Sequence, residues 1–259
     1  MRMIRLEADK FDRVLPQYLS ETAFFPLIAA VLNRSQDGAV WVDEPAKPRQ
    51  VYVEHSFGFA QIFGEPVSTF ESGLESYLSE RRDFTVEKVR LYGPQAPAFL
   101  RTPAFSAYCS ERQRFTLARD APRGVLPLEM LKSSPAVAAD VDEIQARFGV
   151  VARFWRSADD FVRFSQACVI REAGAIAAVC YAAAIGGEKA EIDVVTDPHF
   201  RRRGLAHQAV AGFAASCFAS RLEPVWDCFT NNIPSVRTAL SLGFSPKNAP
   251  YAFFTIPRA

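Results

Sequence analysis

The order of periodicities along the chain predicts an α+β fold: a mixed, mainly antiparallel sheet flanked by helices, preceded by a smaller or degenerate α/β domain. Residues 167–197, ACVIREAGAIAAVCYAAAIGGEKAEIDVVTD, read as three strands broken by the turn signals EAG and GGEK. Helix-like and strand-like runs then alternate through GLAHQAVAGFAASCFASR, PVWDCFT, PSVRTALSLG and YAFFTI. Hairpin-joined strands followed by β-α-β-α-β place helices against a sheet.

The elements follow in order. From Phe11 to Leu32 apolar residues recur at helical spacing. GAVWVDE and QVYVEHSFGFAQIFG read as two strands, FESGLESYLSE as an amphipathic helix and VEKVRLYG as a further strand. SERQRFTLARDAPRGVLPL looks irregular around a short strand, because Pro and Gly interrupt it. A boundary between residues 120 and 135 would divide the chain into a companion domain, 1–125, and a second domain, 135–259. SADDFVRFSQ opens a helix with Ser157 as N-cap and Asp160 three residues later.

Composition narrows the function classes. A chain of 259 residues, 49% hydrophobic and 23% charged, buries a sizeable core without staples. No apolar run approaches the roughly 18 residues of a membrane span. MRMIRLEADKFDRVL mixes both charge signs and lacks an apolar signal core, so a cytoplasmic protein is expected. Thirty basic residues against twenty-nine acidic give a formal charge of +1, which argues against general affinity for nucleic acid. Cys109, Cys168, Cys180, Cys217 and Cys228 are scattered singly, and His199 and His207 flank the arginines without a third ligand, so no metal is expected. His55 and the stripe Phe57, Phe59 and Phe63 read as packing residues.

The arginine triplet therefore needs a local explanation. A strand ending near Val195 delivers the chain into DPHFRRRG, and a helix starts at or near Gly204. The first N–H groups of a helix lack intrahelical acceptors, and its dipole places about half a positive charge there. Gly204 would let a phosphate approach the backbone, Ala206 keeps the first turn uncrowded, and arginines add charge-assisted hydrogen bonds. The string R-x-x-G-x-A alone also fits a solvated loop end.

The order strand, R-x-x-G-x-A, helix, strand, then NNIPSVRTALSLGF resembles the acetyl-CoA-binding half of the GCN5-related N-acetyltransferase (GNAT) superfamily. FWRSADDF, AEIDVVTDPHFRRRGLA and PVWDCFTNNIPSVRTALSLGF look more narrowly like the zwittermicin A resistance-type acetyltransferases, over about Phe154 to Phe254. The resemblance implies that acetyl-CoA lies where two central parallel strands splay, its pyrophosphate at Arg201, Arg202, Arg203, Gly204, Leu205 and Ala206. Backbone groups of Val194, Val195 and Thr196 would pair with the pantetheine arm, and the Val195 N–H would hold the thioester carbonyl. Asn232, with Asn231 as competitor, stands where the family Asn often bonds the cofactor arm, and Ser235 lies beside it. Asn232 equally suits a turn or helix cap.

Acyl transfer needs a neutral amine, so a base must take its proton. Glu191 and Asp193 alternate onto one strand face. Glu191 matches a position where several GNAT enzymes carry a general-base carboxylate; it could instead grip the acceptor's ammonium or support the fold. Asp193 is the second candidate. The family usually has a tyrosine four residues before Gly243, which protonates the leaving thiolate; here Ala239 stands there. Thr238, Ser235 and Tyr251 are nearby hydroxyls without decisive spacing. Trp226 and Cys228 read as core, and Asp227 as an amine-site or salt-bridged acid.

The expected function is transfer of acetyl from acetyl-CoA to a primary amine of a small molecule, with neither nucleic acid nor membrane as partner. A glycine or amino-acid type N-acyltransferase would need a wider acyl tunnel. A catalytically silent acyl-CoA sensor is suggested by Ala239.

Overall fold

The computed structural model describes residues 3–119 and 132–259. They form two compact units, one made of residues up to Arg112 with Pro250–Ala259, the other of Gln113–Ala249. The boundary expected between 120 and 135 falls largely on residues 120–131, outside the described residues.

In the first unit, β1 (Ile4–Leu6) and a 3-10 turn lead to α1 (Leu15–Leu19) and α2 (Pro26–Leu32). The helix expected from Phe11 to Leu32 is broken. Pro16 and Pro26 each occupy a helix start, and Pro26 holds Phe25 extended at φ −123°, ψ 123°. β2 (Gly38–Val42), β3 (Gln50–His55) and β4 (Phe59–Gly64) pair antiparallel; α3 (Ser68–Glu80) then crosses to β5 (Lys88–Gly93), which lies parallel to β4. The run expected as one strand through 50–64 is a hairpin, turned at Gly58. Its φ is +87°, and a Cβ there would lie 2.3 Å from Lys88 O. Phe70, Leu74 and Leu78 of α3 pack in one cluster with Tyr52, Leu91 and Phe254.

After α4 (Pro103–Ser106), β6 (Cys109–Thr116) runs past the unit boundary at Arg112. The second unit continues with β7 (Ser133–Pro135), α5 (Val141–Phe148), α6 (Val151–Phe154) and α7 (Ala158–Phe164). Ser157 caps α7 as expected, its Oγ accepting the Asp160 N–H at 3.0 Å. β8 (Cys168–Glu172), β9 (Ala175–Gly186) and β10 (Lys189–Thr196) are the three expected strands, paired antiparallel. α8 (Leu205–Ala219) crosses to β11 (Glu223–Phe229), parallel to β10, before α9 (Ile233–Ser241) and β12 (Ser245–Pro257). From Pro250 onward β12 belongs to the first unit, where it pairs antiparallel with β5.

The strand order of the second unit is β6-β11-β10-β9-β8-β7. On one face, Cys180, Ala190, Ile192, Val194 and Trp226 pack with Phe213 and Cys217 of α8. The opposite face carries Tyr181, which meets Phe161 of α7. The mixed, mainly antiparallel sheet flanked by helices is thus as the sequence predicts.

One buried polar group makes stability pH-dependent. His55 is 0% exposed; its Nδ1 accepts the Phe57 N–H at 2.9 Å, which fixes the proton on Nε2, facing Gln36 Oε1 at 3.0 Å. Burial lowers its pKa to about 4, against the opposing pull of Asp37. Below about pH 6.5 the unfolded chain takes up a proton that the folded chain refuses until about pH 4. His55 therefore subtracts stability as pH falls through that window, on the order of 3 kcal/mol at its end. Glu54, raised by burial, works the other way. Denaturant titrations of the protein and of His55→Gln should diverge between pH 7 and pH 4.5, with the parent losing more stability; parallel curves would refute the assignment.

Candidate active site

The parallel pairing of β10 and β11 is short. Lys189, Ala190 and Glu191 oppose Glu223, Pro224 and Val225, and register ends there although both strands continue. β10 is an interior strand, yet Ile192 to Thr196 are only half-buried. A gap thus opens in the sheet beyond Glu191.

The edges of β10 follow from its register. Asp197 N–H donates to Ala177 O of β9 at 2.9 Å, and Val195 faces Val179 two positions earlier. In an antiparallel ladder alternate residues turn their N–H to the same neighbour. Val195 therefore directs its N–H to β9, and Val194 and Thr196 direct theirs to the open side. The Val195 N–H is thus committed to β9, and the N–H groups on the other edge of β10 are those of Val194 and Thr196.

Side chains alternate across β10. Ala190, Ile192 and Val194 belong to the α8-side core, leaving Glu191 and Asp193 together on the opposite face. Glu191 is 4% exposed. Arg114 of β6 brings Nη2 to 3.7 Å from Glu191 Oε2 and Nε to 3.2 Å from Asp227 Oδ2 of β11. Asp193 Oδ2 accepts from Tyr181 Oη at 2.6 Å and from Arg153 of α6 at 3.3 Å. Burial first, then the Asp193 charge, pushes the Tyr181 phenol well above its ordinary pKa, so it stays a donor.

Beyond β10 the chain turns through Asp197. Its Oδ1 accepts from the His199 N–H at 2.9 Å and lies 3.0 Å from His199 Nδ1, and its Oδ2 meets Arg147 of α5 at 2.9 Å. The His199 backbone, the His199 ring and Arg147 hold the Asp197 carboxyl below its usual range. Arg201, Arg202 and Arg203 are exposed; Arg201 Nε reaches Thr196 O at 3.4 Å, and Arg203 lies 5.3 Å from the Phe200 ring centroid. Gly204 caps α8 at φ +74°, and a Cβ built there would meet no protein atom within 4 Å. Leu205 turns into the core, Ala206 is half-buried, and the N-terminus of the 15-residue helix is uncovered beside three guanidinium groups.

Other expected positions are occupied structurally. Asn232 Oδ1 accepts the Ser235 N–H at 3.3 Å and caps α9, while Ser235 Oγ accepts from Trp226 Nε1 at 3.0 Å. Ala239 is 0% exposed, in the cluster of Trp226, Leu242 and Phe244. That position faces the core, and a phenol there would overpack it. Thr238 Oγ1 donates within its own helix to Pro234 O. Tyr251 belongs to the first unit, against Phe25 and Tyr92. Cys228 is buried, and all five cysteines are free thiols. Among the described residues, no set of three His, Cys, Asp or Glu gathers to hold a metal ion, and no helix is long and apolar enough to cross a membrane. Arg114 is the residue that sequence reasoning missed. Alternation along SERQRFT puts it on a strand face, but its carboxylate partners follow only from strand order.

Antiparallel strands that lead to a parallel pair opening at its C-terminal end, with a helix start beside it, are the architecture of acyl-CoA-dependent N-acetyltransferases. A family model for GNAT acetyltransferases matches residues 19–254, and the chain belongs to that family. It is 22% identical over 229 residues to the Bacillus subtilis (strain 168) protein called "Uncharacterized N-acetyltransferase YdfB", covering 84% of this chain and 85% of that one. A GCN5-related N-acetyltransferase-like protein from Streptococcus suis 89/1591 superposes with a TM-score of 0.70 at 18% identity, over 95% of this chain and 98% of that one. A tandem GNAT protein from the clavulanic acid biosynthesis pathway superposes with a TM-score of 0.61 at 12% identity, over 100% and 98%. The protein is a GNAT-type N-acetyltransferase, and enzymes of this family use acetyl-CoA.

The α9 cap is testable apart from catalysis. Asn232→Ala should cost about 1 kcal/mol in denaturant unfolding, whereas Asn232→Asp should stay near the parent. Equal losses in both variants would show that the Oδ1 bond does not cap the helix.

Proposed function

We propose that the protein moves acetyl from acetyl-CoA to a primary amine of a small molecule by direct attack, with the second unit as catalytic domain and the first as companion. The observation that carries this reading is the parting of β10 and β11 immediately beyond a buried carboxylate, Glu191. Open space at Gly204 and the three exposed arginines fit a pyrophosphate at the start of α8. The gap flanked by Val194 and Thr196 fits the pantetheine arm, with an outward N–H of this pair near the thioester oxygen as its charge grows. A second role for Asn232 beside its cap is to offer Nδ2 to the same arm.

In this reading Glu191 accepts the proton of the attacking ammonium, directly or through a water. The amine nitrogen then bonds to the thioester carbon, the C–S bond breaks, the nitrogen sheds its second proton to solvent as the amide forms, and the thiolate takes a proton from solvent. Asp193, already held by Tyr181 and Arg153, borders the acceptor rather than serving as base. The motifs FWRSADDF and PVWDCFTNNIPSVRTALSLGF favour acceptors of the zwittermicin A-resistance kind, amine-bearing natural products. Free thiols suit a reducing, cytoplasmic setting. A silent acyl-CoA sensor is the second reading, prompted by Ala239. Because Ala239 lies in the core, the missing tyrosine weighs little in its favour.

Two outcomes are expected. Glu191→Gln should keep acetyl-CoA affinity by calorimetry yet lower turnover about a hundredfold across a panel of amines; near-native turnover with an unchanged pH profile would exclude Glu191 as base. Gly204→Val should fill the open space and weaken acetyl-CoA binding at least roughly tenfold, about 1.4 kcal/mol. Its φ of +74° also strains the fold, so affinity is read on protein shown to be folded by circular dichroism. Unchanged affinity would remove the pyrophosphate from this turn.

A further inference from the structure

A line of alternating charge ties α5 to the turn that carries the arginine triplet. Arg171 of β8 meets Asp140, at the entrance to α5, and brings Nη1 to 3.5 Å from Glu143 Oε2. Glu143 also accepts the Ile176 N–H of β9 through Oε1 at 2.7 Å, so α5 is fastened to the β8–β9 hairpin. One helical turn on, Arg147 Nη1 lies 3.4 Å from Glu143 Oε1, and its Nη2 donates to Asp197 Oδ2 at 2.9 Å. Asp197 closes the line, just past the end of β10. Charges linked in this way, from segments remote in sequence, hold better than isolated surface pairs.

The Asp197 backbone N–H is spent on Ala177 O of β9 at 2.9 Å, which places the residue but does not by itself fix its side chain. Arg147 engages Oδ2 and leaves Oδ1 to accept the His199 N–H at 2.9 Å. The carboxylate thereby starts the 3-10 turn Pro198–Phe200, whose Phe200 N–H returns to Asp197 O at 2.9 Å. The Arg147 side chain is 29% and the Asp197 side chain 12% exposed, so solvent competes only in part for this pair. Beyond it the chain passes through Arg202 at φ +62° and Gly204 at φ +74°. A left-handed arginine persists where its surroundings hold it, and the start of this turn is held from α5.

We infer that Arg147 is a positioning residue for the acetyl donor: through Asp197 it sets the β10–α8 turn in the form that presents Arg201, Arg202 and Arg203 at the start of α8. The inference rests on the reading of that helix start as the pyrophosphate site. A turn ordered before the ligand arrives spares binding the entropy of ordering it. Arg147 itself has no need to touch the ligand, because its guanidinium is engaged by Glu143 and Asp197 at the end of the turn away from Gly204. The same line of charge makes α5 part of the donor site, although α5 lies outside the R-x-x-G-x-A string.

The test needs no known acceptor. In the 15N-labelled full chain, amide exchange is read by NMR at His199 and Phe200, within the turn, and at Gln208, whose N–H donates to Gly204 O at 3.2 Å. Arg147→Gln should speed exchange at His199 and Phe200 about threefold or more while Gln208 stays near the parent. Acetyl-CoA affinity by calorimetry should fall about fivefold in the same variant. Arg147→Lys keeps a charge for Asp197 and should recover most of both effects. A merely structural loss would speed Gln208 as well. Unchanged exchange at His199 and Phe200 overturns the inference, and so does faster exchange with undiminished affinity when Gly204→Val does weaken binding. If Arg147→Gln fails to fold, Asp197→Asn decides in its place by the same readouts, since it keeps an Oδ1 acceptor for His199 but drops the charge facing Arg147. Where exchange quickens yet Gly204→Val binds acetyl-CoA as the parent does, the hold of Arg147 on the turn stands and the pyrophosphate reading is what fails.

Discussion

The architecture of the second unit depends on where a parallel strand pair stops. Glu191 and Val225 form the last register between β10 and β11, while β9 stays paired with β10 as far as Thr196. A strand inside a sheet normally spends both backbone edges on its neighbours, because an unpaired buried amide carries a large desolvation cost. Here one edge of β10 is left to face a gap. The antiparallel ladder to β9 shifts register between Glu191 and Ile192, where the edge opens, and then continues to Thr196, while α8 supports the back of the strand through Ile192 and Val194. The proposed cofactor arm would complete the interrupted sheet.

Charge around the gap is organised in pairs, each anchored by a different element. Arg153 comes from α6, Arg147 from α5 and Arg114 from β6, and they reach Asp193, Asp197 and the Glu191–Asp227 couple in turn. The cations lie on segments before β8 in sequence, whereas the acids lie on β10, on β11 and at the β10–α8 turn. The helices before the sheet thus act as more than cover for its apolar face. By contrast, the guanidinium groups of Arg201, Arg202 and Arg203 are exposed, and only Arg201 and Arg203 have weak backbone contacts at 3.4 Å. Arginines committed to carboxylates lie around the gap, and those left in solvent suit the proposed pyrophosphate.

What the sequence revealed was mostly local. Hairpin signals and alternation delivered β8 to β10, Ser157 announced its cap, and the shared face of Glu191 and Asp193 followed from a period of two. Non-local features were hidden. The donor edge of β10 depends on the register with β9, so the outward N–H groups of Val194 and Thr196 were not visible in VVTD. Arg114 sits in a stretch that Pro and Gly make look irregular, and its bond to Asp227 requires β6 beside β11. The short α5 and α6 follow one another too closely for a helical period to stand out. Pro16 and Pro26 broke a helix whose apolar spacing was otherwise continuous, a case where backbone geometry overrides pattern.

The two units repeat one order of elements: antiparallel strands, a crossing helix, and a strand parallel to the last of them. Their helix starts differ in a way that bears on function. In the first unit the Val67 N–H, at the entrance to α3, donates to Gln50 Oε1 at 2.7 Å, and the Gln50 amide donates to Glu71 Oε1 at 3.0 Å. Glu71 also lies in the first turn, where a carboxylate already satisfies the helix dipole. Neither a glycine nor a cluster of arginines stands there. In the second unit Gly204 supplies no side-chain acceptor, and no acidic residue occupies the first turn of α8. The same backbone feature is thus consumed internally in one unit and left available in the other, which is the physical ground for proposing the pyrophosphate site in the second unit.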